Sequence, residues 1–512
     1  MIQHLVAVAA SALVLTGPPL LPGSDLDGGA AAVPISGEGA RELSQVDAVM
    51  REYLAEHDLP GATVAITKGS RLVWTKGYGY ADMSTAAPMQ PDSRSKIGST
   101  SKVLTAIGAL QLVEDGALDL EQHVYGSGAA PLWGADPGTT PGVVSVSDGV
   151  LEDAGAYFEA MVAGVEMMGE TFPPADHVDE WPSLPWALLN QAAYEQEITT
   201  VLERASSVRV RHLLSHTAGL RKGGGATAKD AAEDHFGTDA DGLTEAQLHQ
   251  AALMGMSGGA PFILDPGTEW EYSNWGFAFA GQIVGAASDE GDYRQYIEHH
   301  LLAPLGLHDV VPNNASISDL DALPHDADNV PYALDPDSVS RLLLATGGWS
   351  ASARDLARVL CSIDGTSNHL RGLQPETVEL MMSDAEPNAA GLNPFGWDSY
   401  SENSGQLTKN GSIDGGSSRI SKFLPGAFAP DTDAEINVAV AVNKGDSVPS
   451  KDLLQDLAEI AAAADVAADY DLFDPAYACY VDESLGLAVR PLPPSPSSPP
   501  SESSVRGGRR EG

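Results

Sequence analysis

One segment limits the folds open to this chain more than any other. From Ser99 to Asp115, the apolar residues Val103, Ile107, Leu110 and Val113 recur at helical spacing, and Gly116 ends the run. A stripe of that kind must lie against a core. Ser99-Thr100-Ser101-Lys102 opens this helix. The i, i+3 spacing puts the serine hydroxyl and the lysine amine on one face of the first turn. Before it, residues 41–57 carry Leu43, Val46, Met50 and Leu54 at helical spacing, stopped by Pro60-Gly61. Ala62–Thr67 and Arg71–Thr75 flank Lys68-Gly69-Ser70 and read as a β-hairpin, with Gly77–Asp82 as a tight turn after it. Far along the chain, Glu435–Val442 reads as a strand and Lys451 to about Ala468 as a last helix. The stretch 123–207 is irregular, and no internal repeat is seen.

Composition removes several classes of function. Asp and Glu number 71 against 28 Lys and Arg, a formal net charge of −43. A surface so acidic repels phosphate backbones and anionic lipid, so nucleic-acid and polybasic membrane binding are not expected. The two cysteines, Cys361 and Cys479, are too few for a disulfide scaffold or a Cys-rich metal centre. The histidines, His299-His300 included, lack ligand spacing, so no metal is expected. Residues 5–16 form an apolar run of signal-peptide length, too short to span a bilayer comfortably, and Ala30-Ala31-Ala32 offers a cleavage site. Residues 1–32 therefore read as a signal peptide and leader, although Met1–His4 carries no Lys or Arg, and the protein as secreted or extracytoplasmic. Residues 471–512 read as an extension, Pro/Ser-rich and disordered from about 491.

Ser99 and Lys102 fit two descriptions. A serine hydroxyl is a poor nucleophile until a neighbour takes its proton. A lysine does so only where burial or a nearby cation lowers its pKa from about 10.4. A helix N-terminus would stabilise negative charge at Ser99. The plainer description is a solvated first-turn pair. A second S-x-x-K, Ser93-Arg94-Ser95-Lys96, has no helical pattern behind it. A G-x-S-x-G at Gly255–Gly259 would make Ser257 a nucleophile elbow. That elbow needs a strand before it and a helix after it. Here a helical stretch precedes it and Pro261 and Pro266 follow.

The surroundings of Ser99 separate these readings. Lys96 to Leu120 resembles the active-site helix of the serine β-lactamase and penicillin-binding-protein superfamily, in its class C β-lactamase, D-aminopeptidase and family VIII esterase branch. Four further segments resemble that family in its order: Pro60–Asp82, Val210–Leu220, Pro266–Asn274 and the stretch from Thr346 to Ala357. The resemblance spans about residues 41–465. It implies an α+β, two-lobe fold with an antiparallel sheet flanked by helices and a mainly helical lobe. The hydrolase domain would run over 33–470, its sheet lobe over about 41–95 and 345–470. The helical lobe would cover about 96–344, with an insertion at about 123–207. It further implies that Ser99, Lys102 and Tyr272 are catalytic and that Asn274, in Tyr272-Ser273-Asn274, orients Lys102 and meets the acyl side chain. Lys409-Asn410-Gly411 matches the K-T-G position, where Lys409 adds positive charge at the place substrate carboxylates bind and lowers the phenol's pKa, Gly411 lets substrate lie against backbone, and the amides of Ser99 and Ser412 form the oxyanion hole. Asn410 departs from the usual Thr or Ser and removes a hydroxyl that would bind a substrate carboxylate. His216 and His212 would be structural. No cofactor is implied. The partner is a small molecule or peptide with an acyl carbonyl, and an inactive binding relative is the competing class.

Overall fold

A computed structural model describes residues 33–124, 204–205, 207–223, 263–313, 318–332, 344–364, 372–383, 394–401, 405–428 and 434–473. In chain order the first elements are strand β1 (Ile35–Gly39), helix α1 (Gln45–Glu56), β2 (Gly61–Lys68), β3 (Arg71–Asp82), β4 (Ala87–Pro88) and β5 (Ser95–Lys96). A 3-10 turn, Gly98–Thr100, runs into α2 (Ser101–Glu114). Next come α3 (Val210–Leu214), α4 (Asn274–Ala287), α5 (Tyr293–Tyr296) and β6 (Val311–Pro312). They are followed by α6 (Leu344–Gly347), β7 (Trp349–Ala351), α7 (Ala353–Cys361) and α8 (Pro375–Ser383). The last are β8 (Ser399–Ser401), β9 (Gln406–Ile413), β10 (Gly416–Phe423), β11 (Ile436–Val442) and α9 (Lys451–Ala463).

The main sheet runs β1-β3-β2-β11-β10-β9-β8, antiparallel at every pairing, with β4 added on β3. Both ends of the described chain thus contribute to one sheet. Its middle strands are the most apolar. Every residue of β11 is buried, as is β2 from Gly61 to Thr67, because helices cover the sheet. Helices α7 and α9 both pack on β2 and β11. The Thr63 hydroxyl accepts from the first amide of α7, and the Lys68 amine donates to the carbonyls of Ala461, Ala462 and Ala464 at the end of α9.

The sequence-based boundaries need three corrections. Gly77–Asp82 is not a turn; it is the second half of the twelve-residue β3. Its glycines allow close backbone approach rather than a reversal: a Cβ at Gly77 would meet the Met89 carbonyl, and one at Gly79 (φ +74°) the Pro60 carbonyl. Helix α9 stops at Ala463, short of Ala468. The helix behind Ser99 is buried over most of its circumference from Ser101 to Leu110, while Val113 is only half buried, because α4, α6 and the Gly98–Thr100 turn all pack on it. Most of 123–207, Ser257, Cys479, residues 1–32 and the Pro/Ser-rich tail lie outside the described residues.

The strand leading to Ser99 is held from the side. The Arg94 guanidinium makes a two-pronged pair with Asp321, at 3.0 and 2.6 Å, and bonds the Ser318 hydroxyl (2.7 Å) and the Asp309 carbonyl (3.2 Å). Arg94 and Asp321 are almost withdrawn from water. Removing one partner from such a pair strands a charge. We expect Asp321→Ala to lower the unfolding free energy by roughly 3 kcal/mol, read from denaturant titration, and Ser318→Ala to cost clearly less.

Candidate active site

Three chain segments meet at Ser99. The first is the 3-10 turn, which presents the Ser99 side chain at the mouth of α2. The second is Tyr272-Ser273-Asn274 at the start of α4, where Ser273 caps the helix by accepting from the Gly276 amide (3.1 Å). The third is the edge region of the sheet, β9, which carries Lys409, Gly411 and Ser412.

The hydroxyls of Ser99 and Tyr272 lie 2.5 Å apart. The Lys102 amine is fully buried and uses all three donors: to Ser99 Oγ (3.1 Å), Asn274 Oδ1 (2.8 Å) and the Thr346 carbonyl (2.6 Å). Burial lowers its pKa to about 8, and Lys409 pushes the same way. Burial alone would raise the Tyr272 phenol, but Lys102 and Lys409 outweigh it and hold the phenol below its ordinary value. The two amines stand 5.0 and 5.2 Å from the centre of the Tyr272 ring. Protons in such a cluster belong to the group of residues rather than to any one of them.

Gly411 brings β9 against the serine turn. A Cβ there would strike the Ile97 carbonyl and lie 2.8 Å from the amides of Ser99 and Thr100. Gly98, at φ +52°, packs equally closely, since a Cβ on it would lie 2.6 Å from the Ser412 amide. Only backbone fits between the turn and the strand, so the amide-bearing backbones of Ser99 and Ser412 lie side by side at the serine. Ser418 on β10 clamps the turn, donating to the Ile97 carbonyl (2.7 Å) and bonding the Thr100 hydroxyl (2.7 Å).

All seven residues singled out from the sequence lie in this one place. Other residues join them, and of these Asp398 carried no sequence signal. Asp398, just before β8, accepts from the Lys409 amine (2.6 Å) and from the amide (2.9 Å) and side chain of Asn410. Lys222-Gly223, a K-x-G triplet in the wrong order for the motif, supplies two carbonyls that hold Asn274, one accepting from its amide (2.6 Å) and one from its side chain (2.9 Å). His216 is buried at φ +59°, with Nδ1 accepting from the Ser273 amide (3.1 Å) and its ring 4.6 Å from that of Tyr272. Burial, then Lys409 and Lys102, keep it neutral. It supports the tyrosine loop and makes no bond to Ser99. His212 caps α3 through Nδ1, which accepts from the Arg209 amide, and burial lowers its pKa to about 4. Among the described residues no cluster of His, Cys, Asp and Glu is arranged to hold a metal ion.

Comparison with known proteins bears on the family and the fold. The family profile described as Beta-lactamase matches residues 46–463. Protein Rv1367c of Mycobacterium tuberculosis is 26% identical over 355 residues, 66% of this chain and 71% of its own. Among solved structures, the octameric penicillin-binding protein homologue from Pyrococcus abyssi superposes with a TM-score of 0.52 at 20% identity, covering 82% of this chain and 76% of that one. A class C beta-lactamase gives 0.52 at 16% identity, over 83% and 97% of the two chains.

The electrostatics have a direct spectroscopic consequence. In an ultraviolet titration of the protein minus its Tyr272→Phe variant, the missing phenol should ionise below pH 10. Lys409→Met removes a cation that favours phenolate, so the same transition should move to higher pH in that background. A difference spectrum with no transition below pH 10 would contradict the charge assignment.

Proposed function

This chain belongs to the Beta-lactamase family, with its β-lactamase/transpeptidase-like α+β fold, and we propose that it is a serine hydrolase working through an acyl-enzyme on Ser99. One observation carries the proposal: Ser99 Oγ lies between the Tyr272 phenol at 2.5 Å and the Lys102 ammonium at 3.1 Å. Because Lys102 donates to Ser99, the serine's own proton is free to point at the tyrosine oxygen.

The chemistry follows from that orientation. Ser99 Oγ attacks an ester, amide or lactam carbonyl while its proton passes to the Tyr272–Lys102 pair. The oxyanion falls between the Ser99 and Ser412 amides, donors of a type that typically contributes about 10²–10³ in rate each. The pair returns the proton to the leaving oxygen or nitrogen. Water then attacks the acyl-serine, with the same pair as base, and restores the enzyme. Lys102 keeps Ser99 and Asn274 in place throughout, and Asn274 faces the acyl side chain. No step calls for a cofactor.

Esters and D-amino-acid peptides fit this reading better than β-lactams, since Asn410 stands where a hydroxyl would grip a lactam carboxylate. In the same proposal residues 1–32 direct export and are removed.

We expect the full chain to release p-nitrophenol from a short p-nitrophenyl ester and to carry a transient acyl group on Ser99, detected by mass spectrometry after acid quenching. Ser99→Ala should abolish the adduct and lower kcat by about 10³ or more. Tyr272→Phe and Lys102→Ala should each lose most of the rate with the protein still folded. A chain that binds the ester without forming an adduct would be the inactive relative instead.

A further inference from the structure

The Lys409 amine is fully buried and meets a carboxylate. Its charge is answered at 2.6 Å by Asp398, whose side chain is 18% exposed. The other Asp398 oxygen is taken up by Asn410, through both its amide and its side chain. Asp398 itself is fixed: its amide donates to the Thr408 carbonyl (3.0 Å), and two residues earlier the Gly396 amide donates to the Leu214 carbonyl (2.9 Å). The neighbouring cation Arg419 turns elsewhere, to the Pro449 carbonyl and the Thr408 hydroxyl. On the far side of the motif glycine, the Ser412 hydroxyl is also engaged by an acid. It accepts from the Asp446 amide (3.1 Å) and donates to the Asp446 carboxylate (3.3 Å).

We propose that Asp398 sets the substrate class of this site: by neutralising Lys409 and holding Asn410, it makes the cleft select acyl donors without a carboxylate beside the scissile bond. The proposal rests on the hydrolase reading above and narrows it. A substrate carboxylate arriving at β9 meets a closed ion pair on one side of Gly411 and the Asp446 carboxylate on the other. Displacing Asp398 from Lys409 would strand a half-buried acid, at a cost that an incoming carboxylate merely recovers. Neutral esters and amides incur no such exchange. Simple carboxylesters and blocked or internal peptide bonds are therefore favoured. Peptides cut next to a free C-terminus, and lactams bearing a ring carboxylate, are disfavoured. Asp398 is a positioning residue: it acts through Lys409 and Asn410 and touches no reacting atom.

The test uses the full chain and two acetate esters that differ in one group on the leaving phenol, para-acetoxybenzamide and para-acetoxybenzoate. The unaltered protein should favour the carboxamide in kcat/KM by about tenfold. Asp398→Asn, equal in shape but uncharged, should raise the carboxylate-to-carboxamide ratio by about tenfold. Asp398 acts on Lys409, Lys102 and Arg419, and Lys409 and Lys102 in turn act on Tyr272 and His216. Asp398 raises the pKa of Lys102, so its loss should also carry the acid limb of log kcat/KM to lower pH, which a merely structural defect would not do. Asp398→Glu should restore the original ratio. Asp446→Asn, at an exposed position, should shift the ratio the same way by less, and it keeps the test open if Asp398→Asn does not fold. A protein that prefers the carboxylate, or a folded Asp398→Asn variant with an unaltered ratio, overturns the proposal. Failure to turn over either ester counts against the hydrolase reading instead. The affinities for para-hydroxybenzoate and para-hydroxybenzamide then decide, and they should show the same preference and the same shift.

Discussion

A fully buried lysine amine organises this molecule. An ammonium taken out of water is tolerated only where its hydrogen-bonding capacity is met and a counter-charge is near. Lys102 meets the first demand with three acceptors drawn from separate parts of the chain: its own first turn, the start of α4 and the end of α6. Tyr272, whose phenol it pulls toward ionisation, meets the second. Packing of α4 and α6 against α2 is thus tied to the polar cluster, so the arrangement that holds the core also holds the site.

The same logic explains the neighbouring charges. Lys409 is as deeply buried as Lys102, yet its partner is a carboxylate rather than three neutral acceptors. Two lysines on either side of one phenol would be hard to keep charged together without a balancing acid, and Asp398 provides it at the outer one. Among the described residues, the cleft thus holds two fully buried lysines, each with partners of its own.

Much of this was legible in the sequence, and the reasons differ by residue. Ser99 and Lys102 were visible because they occupy the first turn of a strongly periodic helix. Tyr272, Asn274 and Lys409 were not visible from periodicity; they emerged because short segments resembled a family in the right order. Asp398 was not visible by either route. It sits in a loop, its role depends on β8 and β9 pairing, and one acid among 71 stands out only when its partners are known. Gly77 and Gly79 misled for the opposite reason. Glycine marks a turn and a close backbone contact with the same letter, and only tertiary packing tells them apart. Lys222 and Gly223 matter through their carbonyls, by backbone geometry that side-chain identities do not encode.

The joining of β2 to β11 has a bearing on how the protein comes into being. Thr67 and Asn437, side by side in the sheet, are 370 residues apart in the chain. A growing polypeptide therefore has its serine helix long before it has the strands that complete the cleft around it. Contacts so distant form slowly, because a long loop must close before any of their stabilisation is gained. The unfinished sheet would leave β2 and β3 as an apolar hairpin with an open edge throughout synthesis. Activity should thus emerge only in the last moments of folding, with strand closure as the event that switches it on.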